Sequence, residues 1–136
     1  MPFTKLLILY GLTVPVFFAV DMVWLGLIAR TFYRKHIGHL MAGQVNWPAA
    51  LIFYFLFIAG ILVFAVLPAV EKGSFGRAVL LGALFGLFTY ATYDLTNLAT
   101  LKDWPLIVTV ADILWGMVLT ATVSGAGYWI AVWLKE

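Results

Sequence analysis

The sequence contains no cysteine and, in 136 residues, only six acidic and eight basic side chains. Without cysteine there is no disulfide, no thiolate nucleophile and no thiolate-bound zinc or iron–sulfur centre. The scarcity of charge excludes a water-facing exterior. With 65% hydrophobic residues, a mean hydropathy of +1.06 and 10% charged residues, the composition is that of an integral membrane protein. A net charge of +2 arises from few groups, so the basic isoelectric point marks connecting segments and no nucleic-acid partner. Also absent are the G-x-S-x-G elbow, the phosphate-binding Walker loop, the Gly-rich dinucleotide fingerprint and H-E-x-x-H. Covalent serine chemistry and phosphoryl transfer of the familiar kinds therefore find no support, and no cofactor is called for.

What the chain does have is four long apolar runs, 6–29, 47–70, 76–101 and 104–134. Each exceeds the roughly 20 residues that a bilayer-crossing helix needs. A spanning barrel would need many short alternating segments, whereas these runs are apolar on all sides. The fold class is all-α, a polytopic four-helix transmembrane bundle forming a single domain over 1–136. Asp21 interrupts the first run and no small-x-small cleavage pattern follows, so that run reads as a retained helix and not as a signal peptide.

An even helix count puts both termini on one side (side A), together with the turn at 71–76. Side B carries the connections Arg30–Asn46 and Lys102–Asp103. Lysine and arginine are tied between the sides, Lys5, Lys72, Arg77 and Lys135 against Arg30, Arg34, Lys35 and Lys102. The density just after the first helix favours side B as cytoplasmic.

Three aspartates lie inside these apolar runs, where ionisable groups are costly and usually functional. Asp21 precedes Arg30 by nine residues, Asp94 precedes Lys102 by eight and Asp112 follows Asp103 by nine. All three are thus roughly 12 to 14 Å below the side B boundary, in one layer. Helical spacing places Tyr90, Asp94 and Asn97 on one face of the third helix with Gly86, and Thr109, Asp112, Trp115 and Gly116 on one face of the fourth. Phe17, Asp21, Trp24 and Leu25 form the matching strip on the first. These strips are expected to meet inside the bundle, with the second helix, which lacks ionisable residues, closing it. Trp24 and Trp115 each follow an aspartate by three residues, which sets an indole beside each carboxyl group as hydrogen-bond donor or cation-stacking face; core filling is the plainer role.

Other features have plainer readings. Gly82 and Gly86 make a small-xxx-small stripe for close helix packing, and a contact for a homodimer. Pro15 bends the first helix or frees a carbonyl. His36 and His39 have helical H-x-x-H spacing, but they sit in a basic segment more than about 10 Å from the aspartate layer, so headgroup contact is favoured over a metal site. Asn46-Trp47-Pro48 parallels Asp103-Trp104-Pro105, and Asp21-Met-Val-Trp-Leu25 parallels Asp94-Leu-Thr-Asn-Leu98. This fits either a duplicated helical hairpin or independent use of Trp-Pro as an interfacial helix start.

The strings Tyr90-Ala-Thr-Tyr-Asp-Leu-Thr-Asn-Leu-Ala-Thr-Leu101, Asp103-Trp104-Pro105 and Asp112-Ile-Leu-Trp-Gly116, with Asp21-Met-Val-Trp-Leu-Gly26 and Phe53-Tyr54, resemble domain-of-unknown-function family 2177 over nearly the whole chain. The resemblance implies a small four-helix protein of the bacterial cytoplasmic membrane. It brings no activity and no catalytic residues to transfer.

Three carboxylates in one layer, with no lysine or arginine at that depth, cannot all stay ionised, since repulsion and desolvation both oppose it. Protons, a bound cation, or a basic stem reaching down from Arg30 or Arg34 must neutralise them. The leading expectation is binding or movement of a cationic or proton-linked small solute, in a homodimer because four helices enclose little volume. The alternatives are a membrane-embedded lipid-modifying enzyme, with one aspartate as acid and another as base, and an accessory subunit of a larger membrane complex, its aspartates merely tying helices together.

Overall fold

The computed structural model describes all 136 residues, is helical over 88% of them and contains no strand. Six α-helices follow in order: α1 (Phe3–Trp24), α2 (Arg30–Ile37), α3 (Trp47–Ile61), α4 (Leu67–Lys72), α5 (Phe75–Thr100) and α6 (Leu106–Lys135). A π-helical turn at Leu25–Ala29 joins α1 to α2, and another at Leu62–Val66 joins α3 to α4. The six helices therefore make four rods, Phe3–Leu40, Trp47–Lys72, Phe75–Thr100 and Leu106–Lys135, each long and apolar enough to cross a membrane.

The first rod is longer than the hydropathy pattern suggests. Arg30–Ile37 is helix, not connection, and a short 3₁₀ turn at Gly38–Leu40 extends it. Its 38 residues amount to about 57 Å of helix at 1.5 Å per residue, well beyond the hydrocarbon thickness. The charges that end the apolar run do not end the helix, because arginine and lysine are good helix formers.

Local chemistry explains most of the other ends. Asn46 Oδ1 accepts the Ala49 N–H at 3.2 Å, with Pro48 in the first turn of α3 where its missing N–H costs nothing. Ser74 caps α5 through the Arg77 N–H at 3.1 Å, and Gly73 ends α4 at a φ of 63°. The parallel between the two Trp-Pro motifs is not kept. Trp104 and Pro105 precede α6, and Asp103 caps nothing but turns the chain at a φ of 64°. Pro15 is absorbed within a continuous α1. Pro68 cannot donate to a carbonyl one turn back, and the π turn at Leu62–Val66 lies in the stretch that it disturbs.

Packing centres on α5 against α6. A Cβ on Gly82 would come within 2.5 Å of the Thr120 carbonyl and Ser124 Oγ, and one on Gly86 would collide with Thr120 Oγ1 and the Gly116 carbonyl. Thr120 Oγ1 donates at this crossing, 2.5 Å from the Gly82 carbonyl and 2.7 Å from that of Gly116. The glycine stripe is thus covered within the chain and is not free to face a second copy. Leu9, Phe17, Ile58, Ile61, Leu119 and Val123 fill the space between α1, α3 and α6. By contrast, α5 meets the second rod mainly at the Leu62–Val66 turn and at α4, leaving α3 without extended contact with the second half of α5.

Candidate functional site

A cavity of about 300 Å³ lies between the rods toward side B, and Asp21 of α1, Asp94 of α5 and Asp112 of α6 all line it. Asp94 is completely buried, Asp21 nearly so, and Asp112 half-buried. Asp112 Oδ1 accepts a hydrogen bond from the Tyr33 hydroxyl at 2.5 Å. Asp94 and Asp112 line the same cavity from adjacent rods. As two carboxylates they are both acceptors, and neither Asp94 oxygen has a donor.

Between α1 and α6, Trp24 and Trp115 stack face to face, with centroids 4.7 Å apart and planes 7° from parallel. The indole N–H groups of Trp24 and Trp115 are both buried donors without acceptors. Five buried side-chain polar atoms in the whole protein lack a partner, and four of them belong to Trp24, Asp94 and Trp115 on this cavity wall. Buried polar groups are rarely left so, and each one calls for an explanation.

The elements that aim these groups can be traced to residues. From Asp21 to Tyr33 is twelve positions, which on a regular helix would turn Tyr33 about 120° away from Asp21. The π turn at Leu25–Ala29 absorbs one residue and brings that offset back to about 20°. Arg34 and Lys35 are left facing outward and exposed. On α6, Gly116 leaves room for the Tyr90 ring, which lies where a Cβ would be. Trp104 is fixed by its indole N–H, donated to Thr109 Oγ1 at 3.1 Å.

Asp21, Asp94, Asp112, Trp24, Trp115 and Tyr90 are thus gathered on one wall. Thr109 is buried one layer behind, holding Trp104, and Asn97 is half-buried away from the lining. His36 packs on Phe32 with ring centroids 4.8 Å apart, while His39 is exposed. No set of three or more His, Asp or Glu residues is arranged to hold a metal ion. Arg30, Arg34 and Lys35 border a separate surface recess and no lysine or arginine lines the cavity, so no basic stem reaches down to the carboxylates.

Spacing within single helices does not reveal the remaining lining: Tyr33 and Ile37 of α2, Met41 beyond it, Phe53 and Tyr54 of α3, Tyr93 of α5, Val108 of α6, and Trp104. The second rod is therefore a wall of the site as well as a lid, and Tyr54 gives it an ionisable group. One signal for Tyr33 is present in the sequence: an aromatic with Ile37 one turn on, amid the charged residues after Ala29.

The profile of a family described as a predicted membrane protein (DUF2177) matches residues 6–129. The chain belongs to that family. The match takes in the three aspartates, both stacked tryptophans and the α5–α6 crossing, so the cavity of this DUF2177 protein lies wholly within the family region. No curated protein and no solved structure matches the chain.

Proposed function

We propose that this DUF2177 protein binds a small organic cation in the aspartate cavity and exchanges it against protons. The observation that carries the reading is the concentration of unpartnered buried polar atoms on a wall that holds three aspartates and no basic residue. A monovalent cation between Asp94 and Asp112 would offset one of their two charges, as a shared proton does, and competition of the two for one site is what coupled exchange requires. The carboxylates do not converge as a metal-ion set, which favours a larger, diffuse cation. The indole faces at Trp24 and Trp115 suit such a charge. All four rods of the chain contribute to the cavity lining.

Tetramethylammonium, whose charge is independent of pH, is the test probe. Titrated into the purified protein in zwitterionic nanodiscs, it is expected to bind, at least tenfold more weakly to Asp94→Asn and Asp112→Asn. In proteoliposomes, uptake driven by a pH gradient is expected to vanish in the same variants. Unchanged binding in both would refute the proposal.

A further inference from the structure

The aspartate cavity does not stop at its own walls. A second recess of about 280 Å³, lined by Phe53, Phe57, Thr89, Tyr90, Tyr93 and Asp112, shares four of these residues with it. A third, of about 410 Å³, continues from Phe53 and Phe57 past Ala59, Gly60 and Val63 to Phe64 and Phe85. Together they follow the seam where α3 and α5 fail to close. Phe53, Leu56, Val63 and Phe64 are exposed along it, so the seam is open to acyl chains over its length.

The floor of this track is built and is not a mere gap between helices. The Phe53 and Phe57 rings stack at 5.4 Å, Phe57 and Phe85 at 5.3 Å, and Phe85 and Phe64 at 5.9 Å, with interplanar angles of 20° to 30°. Gly60 makes the arrangement fit, since a Cβ there would come within 2.8 Å of the Phe85 ring tip. One end of the track is purely apolar and the other reaches Asp112.

The geometry points to a single-chain amphiphile with a cationic head as the solute: the head enters the aspartate cavity sideways from the bilayer, and the alkyl tail lies in the α3–α5 seam over the phenylalanine floor. This rests on the cation-binding reading above and adds the class of ligand and its route. Charge complementarity selects the head, because the track leads to aspartates with no basic partner. The floor selects the tail, since Phe53, Phe57, Phe85 and Phe64 stack in single file and offer a track for one chain. Because lipid tails are as apolar as the groove, the seam guides and admits the tail and adds little affinity of its own. A tail that cannot lie there is sterically excluded.

Two ligands separate this inference from the one beneath it. Tetramethylammonium tests the aspartates alone; dodecyltrimethylammonium tests the seam as well. In zwitterionic nanodiscs, Ala59→Trp and Val63→Trp, which fill the seam from α3 and the turn after it, are expected to weaken dodecyltrimethylammonium binding at least tenfold. Binding of tetramethylammonium should stay within twofold. Comparing one ligand between proteins cancels its partition into the bilayer. No weakening of the long-chain ligand in either variant overturns the proposal, and so does equal loss of both ligands in both. A wild-type measurement guards against misfolding: a dodecyl cation with a terminal diazirine should label residues 59–64. Labelling confined elsewhere, or labelling there by a diazirine phospholipid that the cation fails to displace, overturns it. Failure of tetramethylammonium to bind the wild type would instead count against the aspartate reading.

Discussion

The Tyr33 hydroxyl donates to Asp112 Oδ1 across 79 residues of sequence, tying the extension of the first rod to the fourth. A hydrogen bond to a charged acceptor contributes about 1.5 to 3 kcal/mol. Tyr33→Phe should therefore lower unfolding stability by about that amount, measured by denaturant titration in mixed micelles. It should also free Asp112 for a cation, tightening tetramethylammonium binding. A variant as stable as the wild type would mean that the bond is not made in the membrane.

The π turn makes a prediction of opposite sign to intuition. Deleting Gly26, which is exposed with open space around it, removes the extra residue and leaves a regular helix whose phase still points Tyr33 inward by the estimate of about 20°. Tetramethylammonium affinity should stay within about threefold, while an alanine inserted after Gly26 swings Tyr33 by about 100° and should reproduce Tyr33→Phe. Equal damage from deletion and insertion would exclude this phasing role.

At the α5–α6 crossing, space matters more than the hydrogen bond. Gly86→Val would push into Thr120 Oγ1 and the Gly116 carbonyl and should cost about 1 to 3 kcal/mol or more. Thr120→Val removes only the hydroxyl contact, for which about 0.6 kcal/mol is typical within membranes. Thermal unfolding in detergent should rank the two in that order, and because the crossing is internal both should keep the wild-type oligomeric state by light scattering.

Asp94 should show the trade of stability for function. Its two oxygens are buried without donors, so the isosteric Asn, which removes the charge, should raise stability by about 1 kcal/mol while weakening cation binding at least tenfold. A destabilised Asp94→Asn would indicate that the carboxylate has a structural partner.

Hydropathy made the four rods legible, and simple counting put Asp21, Asp94 and Asp112 at one depth, because the rise and phase of a regular helix hold from Gly86 to Asn97 and from Thr109 to Gly116. Tyr33 and Ile37 are missed because hydropathy ends the first run at Ala29 and leaves them in an expected connection, and an irregular turn after Trp24 also resets the helical phase. Phe53 and Tyr54 carry part of the family resemblance but could not be assigned to the site, because in a run that is apolar all round nothing marks the inner face. Gly82 and Gly86 were legible as a packing stripe, yet a stripe does not say which helix covers it, and here α6 does. Thr109 shares a face with Asp112 but is turned to Trp104, a pairing that depends on the irregular link before α6.

The parallel indoles of Trp24 and Trp115 give the molecule its own optical gauge. Chromophores held so close couple their ultraviolet transitions, and a guest wedged against or between them must alter that coupling. Circular dichroism in the tryptophan band therefore offers a label-free reading of whether the chamber that they line is filled.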